Sequence, residues 1–326
     1  MAHSKMSFET LEYVKRYITK ICSQKSLKRF NLSFFGGEPL LYYKDIVHPL
    51  LKHFQSTCLT LGISSSIGFT SNGYLLTSSM IEDLKSFGVS SFQITLDGSK
   101  TLHNKVRYPF EGADSYSKIV SNIKKLLHAN IFVVLRINYT SDNLESTKEI
   151  INDLKDIPNN EKKNIHVDFQ RVWQDKGIND LILSDTLVEC IEAFESIGIK
   201  VYGEIINQVW NSCYADKVNQ AVINFNRDVF KCTARDFTKE NRLGVLNEDG
   251  TIIWDKEKMK QREGVRLSKE VCQHCRIAPI CGGTCTQRGL DSGNSNLCIR
   301  GLNESGKDNI VLNQFYYNIV KNGVSV

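Results

Sequence analysis

An α/β fold with parallel strands, followed by a smaller cysteine-rich region, is what the sequence predicts, and three observations predict it. Short β-branched and aromatic runs alternate with helical apolar stripes from residue 30 to about 202. Near residue 205 that rhythm gives way to glycine, cysteine and short polar turns. Seven of the ten cysteines then fall between Cys213 and Cys298. The alternation calls for strands joined by helical crossovers, as in a barrel or a doubly wound sheet. The change of rhythm divides the chain into residues 1–205 and 206–326.

Residues 7–22 place Phe8, Leu11, Val14, Ile18 and Ile21 on one helical stripe. FNLSFF (30–35), stopped by Gly36-Gly37, reads as a strand, and Ile46, Val47, Leu50, Leu51 and Phe54 mark the next helix. Further strands are predicted at 64–70, 90–96, 131–137 and 166–172. Helices are predicted at 77–87, 115–128, 144–155 and 185–196, with one last short strand at Ile199–Tyr202. Five β/α units are too few for a closed eight-fold barrel. The sequence shows no internal repeat and no low-complexity segment.

The composition narrows the function. With 41% hydrophobic and 24% charged residues the chain reads as globular, and a net charge of +5 without a dense Lys/Arg run gives no reason to expect nucleic acid. No run approaches 18 apolar residues, so a membrane helix is not expected. MAHSKMSFETLEYVKRYITK is amphipathic and charged, without the apolar core of a signal peptide, and a cytoplasmic location is the expectation. Ten cysteines in that compartment are not expected as structural disulfides. Cys22, Cys58 and Cys190 each sit in a helical apolar pattern and are expected as buried packing.

The other seven are Cys213, Cys232, then C-x2-C-x5-C-x3-C at Cys272, Cys275, Cys281 and Cys285, and finally Cys298. A C-x2-C turn lets two thiolates approach one metal centre, and Pro279 and Gly282-Gly283 permit tight reversals that bring further sulfurs inward. Thiolate-only sites select zinc or iron–sulfur clusters. One C-x2-C pair and an odd number of cysteines suit a zinc ribbon poorly, and redox or disulfide use is a third reading.

The pattern resembles the SPASM domain, the cluster-binding extension of radical S-adenosylmethionine (SAM) enzymes that modify peptides and proteins. That domain reads C-x9-15-G-x4-C, a gap, C-x2-C-x5-C-x3-C, a gap, and a final C. Arg227 stands where the glycine is usual, so an altered turn is expected there. The resemblance implies two auxiliary 4Fe–4S clusters. Cys272, Cys275, Cys281 and Cys298 would hold the outer one. Cys213, Cys232 and Cys285 would hold the inner one, leaving a fourth position for a substrate or for another ligand such as a nearby Asp.

FFGGEPLLY (34–42) lies at the carboxyl end of the first strand, where barrel folds carry chemistry. Alone, it reads as a strand-to-helix turn opened by Glu38 and Pro39. It also resembles the GGEP motif of the radical SAM family, whose backbone and glutamate receive the amino group of the methionine moiety. Gly36 and Gly37, lacking side chains, would allow that approach. Ser71-Asn72-Gly73 and Asp97-Gly98 follow the next two strands, and LDGSKTLHNKVRY matches the family's stretch through Asp97, His103 and Arg107. Arg136 and Asn138 end the fourth strand, Gln170 and Arg171 the fifth; each could by itself be a solvated loop residue, and His103 a structural histidine. The resemblance implies SAM contacts from Gly36, Gly37, Glu38, Pro39, Ser71, Asn72, Asp97 and Arg136, and assigns no catalytic side chain.

The family's C-x3-C-x2-C motif, which holds the cluster that cleaves SAM, does not occur, and Cys22 and Cys58 are too far apart to supply it. The expectation is therefore a partial (β/α) radical SAM barrel without its first strand, from a truncated gene product or by natural loss, followed by a small SPASM domain. Such a chain would not cleave SAM, whereas an intact parent with a third 4Fe–4S cluster would. The strand at 30–35 would then be an exposed edge. The parent activity implied is maturation of a ribosomally made peptide by hydrogen abstraction with crosslink or thioether formation. Its partners would be a peptide or protein substrate and an electron donor such as ferredoxin or flavodoxin. A sulfatase-maturase-like enzyme is the near alternative, although Thr233 follows Cys232 where that subgroup has its basic Asp, with Asp236 close by. A non-catalytic peptide-binding module and a zinc-stabilised structural protein are the rivals from other classes.

Overall fold

The computed structural model describes residues 4–172, 180–202, 213–283, 285–293 and 296–315. They cluster into two units, one of residues 1–5 and 18–203, the other of residues 6–17 and 204–326. The boundary predicted near 205 lies outside the described residues. Helix α1 (Phe8–Cys22) contributes to both units.

The first unit is built on six strands: β1 (Arg29–Phe34), β2 (Ser64–Ser71), β3 (Val89–Leu96), β4 (Phe132–Tyr139), β5 (Ile165–Arg171) and β6 (Lys200–Tyr202). They form one parallel sheet in sequence order. Alternation puts Ile67 and Phe69, Phe92, Ile94 and Leu96, Val133, Leu135 and Ile137, and Val167 and Phe169 into the core. The intervening residues Thr70, Gln93, Thr95, Arg136, Asn138, Asp168 and Gln170 are half-buried and polar. The core is completed by α2 (His48–Thr60), α3 (Ser78–Ser86), α5 (Ser115–His128) and α8 (Asp180–Ser196), through residues such as Phe54, Leu84, Ile123 and Phe194. Between them lie the short α4 (Lys100–Val106), α6 (Ile150–Leu154) and α7 (Asn159–Lys162).

The strands fall within two residues of their predicted bounds. The helices depart more. Residues 39–47 form a 3-10 turn and then a π turn before α2. The stretch predicted at 144–155 begins as a 3-10 turn and becomes helical only at Ile150. Helix α4 was not foreseen, because a seven-residue helix anchored by one buried histidine carries no periodic signal. Cys22, Cys58 and Cys190 are buried, as expected. β1 pairs only with β2 among the described residues, and a stack of Phe34 on Phe69 (4.6 Å) and Phe69 on Phe92 (4.9 Å) ends at this edge.

In the second unit, β7 (Val222–Ile223), β8 (Asp228–Phe230), β9 (Gly244–Leu246) and β10 (Ile252–Trp254) make an antiparallel sheet of very short strands. Helices α9 (Lys256–Arg262), α10 (Glu270–Gln273), α11 (Ala278–Cys281), α12 (Thr286–Asp291) and α13 (Glu304–Phe315) follow. Gly250, at the β9–β10 turn, lies so close to α1 that a Cβ would sit 2.5 Å from the Tyr17 nitrogen. Arg227 takes φ = +73°, a conformation that favours glycine. Its N–H donates to the Asn224 carbonyl at 3.1 Å. The turn is closed by an arginine at a steric cost of about 1–2 kcal/mol.

Candidate functional site

At the carboxyl end of β1 the chain turns through Gly36 and Gly37, and at both positions a Cβ would meet nothing within 4 Å. Pro39 begins the 3-10 turn that Glu38 caps. The Glu38 carboxylate accepts three bonds: Oε1 from the Leu40 N–H (3.0 Å) and the Ser71 hydroxyl (2.8 Å), and Oε2 from the Asn72 N–H (2.8 Å). An ionised carboxylate offers about four acceptor positions, so one remains for an incoming cation. Ser71 Oγ also accepts from the Gly73 N–H at 3.0 Å. Glu38 therefore fastens the end of β1 to the end of β2, and Gly36, Gly37, Glu38, Pro39, Ser71 and Asn72 form one hydrogen-bonded corner.

A second set occupies the ends of β3 and β4. Asp97 Oδ2 pairs with Arg107, Asp97 Oδ1 accepts from Asn138 Nδ2 (3.2 Å), and Asn138 Oδ1 accepts from Arg136 Nε (2.9 Å). Asp97 and Arg136 thus meet through Asn138. His103 lies beneath this loop with no exposed surface, its Nδ1 accepting the Asp97 N–H at 3.2 Å. Burial pushes its pKa down to about 4, so the ring is neutral and supports the loop. Gln170 donates to Asp168 at 2.9 Å, and no bond joins that pair to the Asp97 set among the described residues.

The seven clustered cysteines form two groups. Cys272, Cys275, Cys281 and Cys298 line one cavity, together with apolar side chains such as Ile277 and Leu302 and the alkyl stem of Lys307. Burial pushes the Cys272 thiol up, and the neighbouring Cys298, Cys281 and Cys275 push it further. Cys285 belongs elsewhere. Burial raises the Cys213 thiol, the Ala215 N–H lowers it, and the charges of Asp216, Cys285 and Cys232 add to the rise. Between the two groups the backbone pivots at Gly282 and Gly283 (φ +62° and +75°), and a Cβ at Gly283 would sit 2.5 Å from the Leu267 nitrogen. Cys285 then precedes α12, whose Asp291 pairs with Arg235 in the Cys232 turn.

All ten cysteines are free thiols. Among the described residues no three His, Cys, Asp or Glu side chains close on one point as a single ion requires. Sulfurs that surround a volume, rather than a point, suit a polynuclear centre. The open acceptor on Glu38 and the space over the glycine pair suit the ammonium and backbone-facing part of an amino-acid moiety. Thr233 is tied to Tyr214, whose hydroxyl lies 2.6 Å from its Oγ1 and accepts its N–H at 3.0 Å. Sequence reasoning did not single out Lys307, Arg235 or Tyr214: no motif marks Tyr214 after Cys213 or Arg235 after Cys232, and only the folded arrangement brings Lys307 beside the thiols.

Residues 2–154 match the profile of the radical SAM superfamily. A search of curated proteins finds no match. Among solved structures the chain is similar to native anSMEcpe with bound AdoMet, with a TM-score of 0.70 and 17% identity over 100% of this chain and 93% of that one. It is also similar to native anSMEcpe with bound AdoMet and Kp18Cys peptide (TM-score 0.69, 18% identity, 98% and 92% covered). Streptococcus suis SuiB bound to S-adenosylmethionine gives a TM-score of 0.60 at 17% identity, over 89% and 68% of the two chains. The parallel six-stranded sheet with its helices is the α/β fold of the radical SAM enzymes. No helix among the described residues is long and apolar enough to cross a membrane.

Proposed function

We propose that this chain, whose residues 2–154 match the radical SAM superfamily, is of the SPASM-type peptide maturase kind and holds two auxiliary 4Fe–4S clusters in its C-terminal unit. One observation carries the reading: the seven cysteines between 213 and 298 separate into four around one cavity and three about Cys213. Three similar structures hold S-adenosylmethionine, and one of these also holds a peptide, which supports SAM as cofactor and a peptide or protein as substrate. SAM would supply a hydrogen-abstracting radical only where a further cluster cleaves it reductively, and the auxiliary clusters would supply electron transfer. The protein's own part is positional. Glu38 keeps one acceptor for the methionine ammonium, Gly36 and Gly37 leave the backbone accessible, and the Asp97–Asn138–Arg136 set offers a guanidinium for a carboxylate. Cys272, Cys275, Cys281 and Cys298 would hold the outer cluster, and Cys213, Cys232 and Cys285 the inner one.

These 326 residues contain no C-x3-C-x2-C triplet. The polypeptide of this sequence, taken by itself, is accordingly proposed to bind SAM and peptide without cleaving SAM. A cytoplasmic location and a ferredoxin or flavodoxin as electron donor fit the same reading. The test is anaerobic reconstitution of the full chain. About eight irons per chain and a brown thiolate-to-iron absorption are expected, with about half the iron lost in Cys281→Ala and in Cys232→Ala. Zinc without colour, or equal and complete loss of iron in both variants, refutes two separate centres. Detection of 5′-deoxyadenosine from this polypeptide with dithionite refutes the binding-only reading.

A further inference from the structure

Among the described residues that line the cavity of Cys272, Cys275, Cys281 and Cys298, Lys307 alone carries a charge. Its side chain is only 13% exposed and sits in the first turn of α13, where its ammonium bonds Glu304 Oε1 at 2.5 Å. Glu304 in turn accepts from Arg276 Nε at 3.0 Å, and Arg276 also reaches Asp308 at 2.7 Å. The start of α13 is thus fixed against the C-x2-C turn, and Lys307 is held in the wall of the cavity that the four thiols share. A lysine here is not needed to fill space, since leucine and isoleucine make up much of the remaining wall. A cation at such a place does one thing that an apolar residue cannot. A cluster held by four thiolates is an anion that gains a further negative charge on reduction, and a nearby positive charge favours the reduced form more than the oxidised one.

We propose that Lys307 is a positioning residue that raises the reduction potential of the outer cluster, with Glu304 as the counterweight that partly offsets it. The proposal rests on the cluster reading above. The proximity is independent of any bound group: Lys307 lines the same cavity as Cys272, Cys275, Cys281 and Cys298. Because Glu304 is 70% exposed and Lys307 is not, solvent screens the carboxylate more than the ammonium. On this proposal the ammonium outweighs the carboxylate at the sulfurs.

The test is a potentiometric titration of the reconstituted full chain, read by low-temperature electron paramagnetic resonance. Two one-electron steps are expected. In Lys307→Met one step moves to lower potential and the other stays. At the wild-type midpoint the reduced-to-oxidised ratio falls about tenfold, equivalent to about 59 mV. Lys307→Arg keeps the wild-type step, and Glu304→Gln moves the same step upward. A structural role alone would move the Met and Gln variants in the same direction. An unchanged midpoint in Lys307→Met at full iron content overturns the proposal, as does loss of iron from both the Met and Arg variants. Wild-type chain that takes up no iron fails the cluster reading itself, and is recognised before any variant is titrated.

Discussion

Acid should weaken this fold through one histidine. His103 has no exposed surface, its Nδ1 accepts the Asp97 N–H, and its Nε2 has no hydrogen-bond partner. Its pKa is pushed from 6.5 down to about 4, first by burial; Asp97 opposes that shift and Arg107 adds to it. Between these values the unfolded chain binds a proton that the folded chain does not, so stability falls as pH drops from 6.5 towards 4 and levels off below. The full difference is about 3 kcal/mol, of which about 2 kcal/mol is lost by pH 5. A protonated Nδ1 would also face the Asp97 N–H donor to donor and loosen the loop of the candidate SAM site. The perturbation is His103→Asn, whose amide oxygen can still accept from Asp97 but does not titrate. Urea unfolding at pH 7 and pH 5 is the assay. The wild type should lose about 2 kcal/mol more than the variant over that interval, although the variant starts lower because the ring no longer packs on Tyr116. Subtracting the two removes the carboxylates common to both, such as Asp114, whose pKa is held well below the ordinary range. Equal losses in the two proteins would refute a buried neutral His103.

Two further outcomes follow from the geometry. Arg227→Gly should be about 1 kcal/mol more stable than Arg227→Ala, because only glycine relieves the φ of +73°; equal melting temperatures would count against the turn described. Glu38→Gln leaves one oxygen where three donors converged and sets an amide N–H against the Asn72 N–H. It should cost about 1–3 kcal/mol of stability and weaken SAM binding in equilibrium dialysis, and unchanged binding would remove Glu38 from the site.

The first unit was legible because its strands alternate. Val133, Leu135 and Ile137 are buried while Val134, Arg136 and Asn138 are not, and that period survives in the sequence. In the second unit the strands have two or three residues, too few to show a period, and nothing before the structure indicated β7 to β10. Arg227 was opaque for a related reason: nothing in an arginine signals that the Asn224–Asp228 turn holds it at φ = +73°. The cysteines show the limit most clearly. Spacing alone joins Cys285 to Cys281, yet the two glycines between them turn the chain so that Cys285 sits with Cys213 and Cys232. Only the family resemblance separated them in advance.

The glycine–glutamate turn hangs from an edge strand. β1 has a single neighbour among the described residues, and Arg29, Asn31 and Ser33 are exposed along it. Its anchors are the Phe34–Phe69 stack, the edge contact of Phe30 with Phe54 at 5.3 Å, and the three bonds to Glu38. Central β4, by contrast, is paired on both sides. Local opening should therefore be easier at β1 than at β4, and any ligand that contacts Gly36–Glu38 must bind the closed form. Linkage sets the size of the effect: at a SAM concentration of 100 Kd the closed form gains about 2.7 kcal/mol, roughly a hundredfold in exchange protection. Amide hydrogen exchange should thus slow by up to that factor across residues 29–38 on adding SAM, with β4 unmoved. Exchange at β1 that already matches β4 without SAM, or that ignores saturating SAM, would mean that the corner is preformed or is not the binding site.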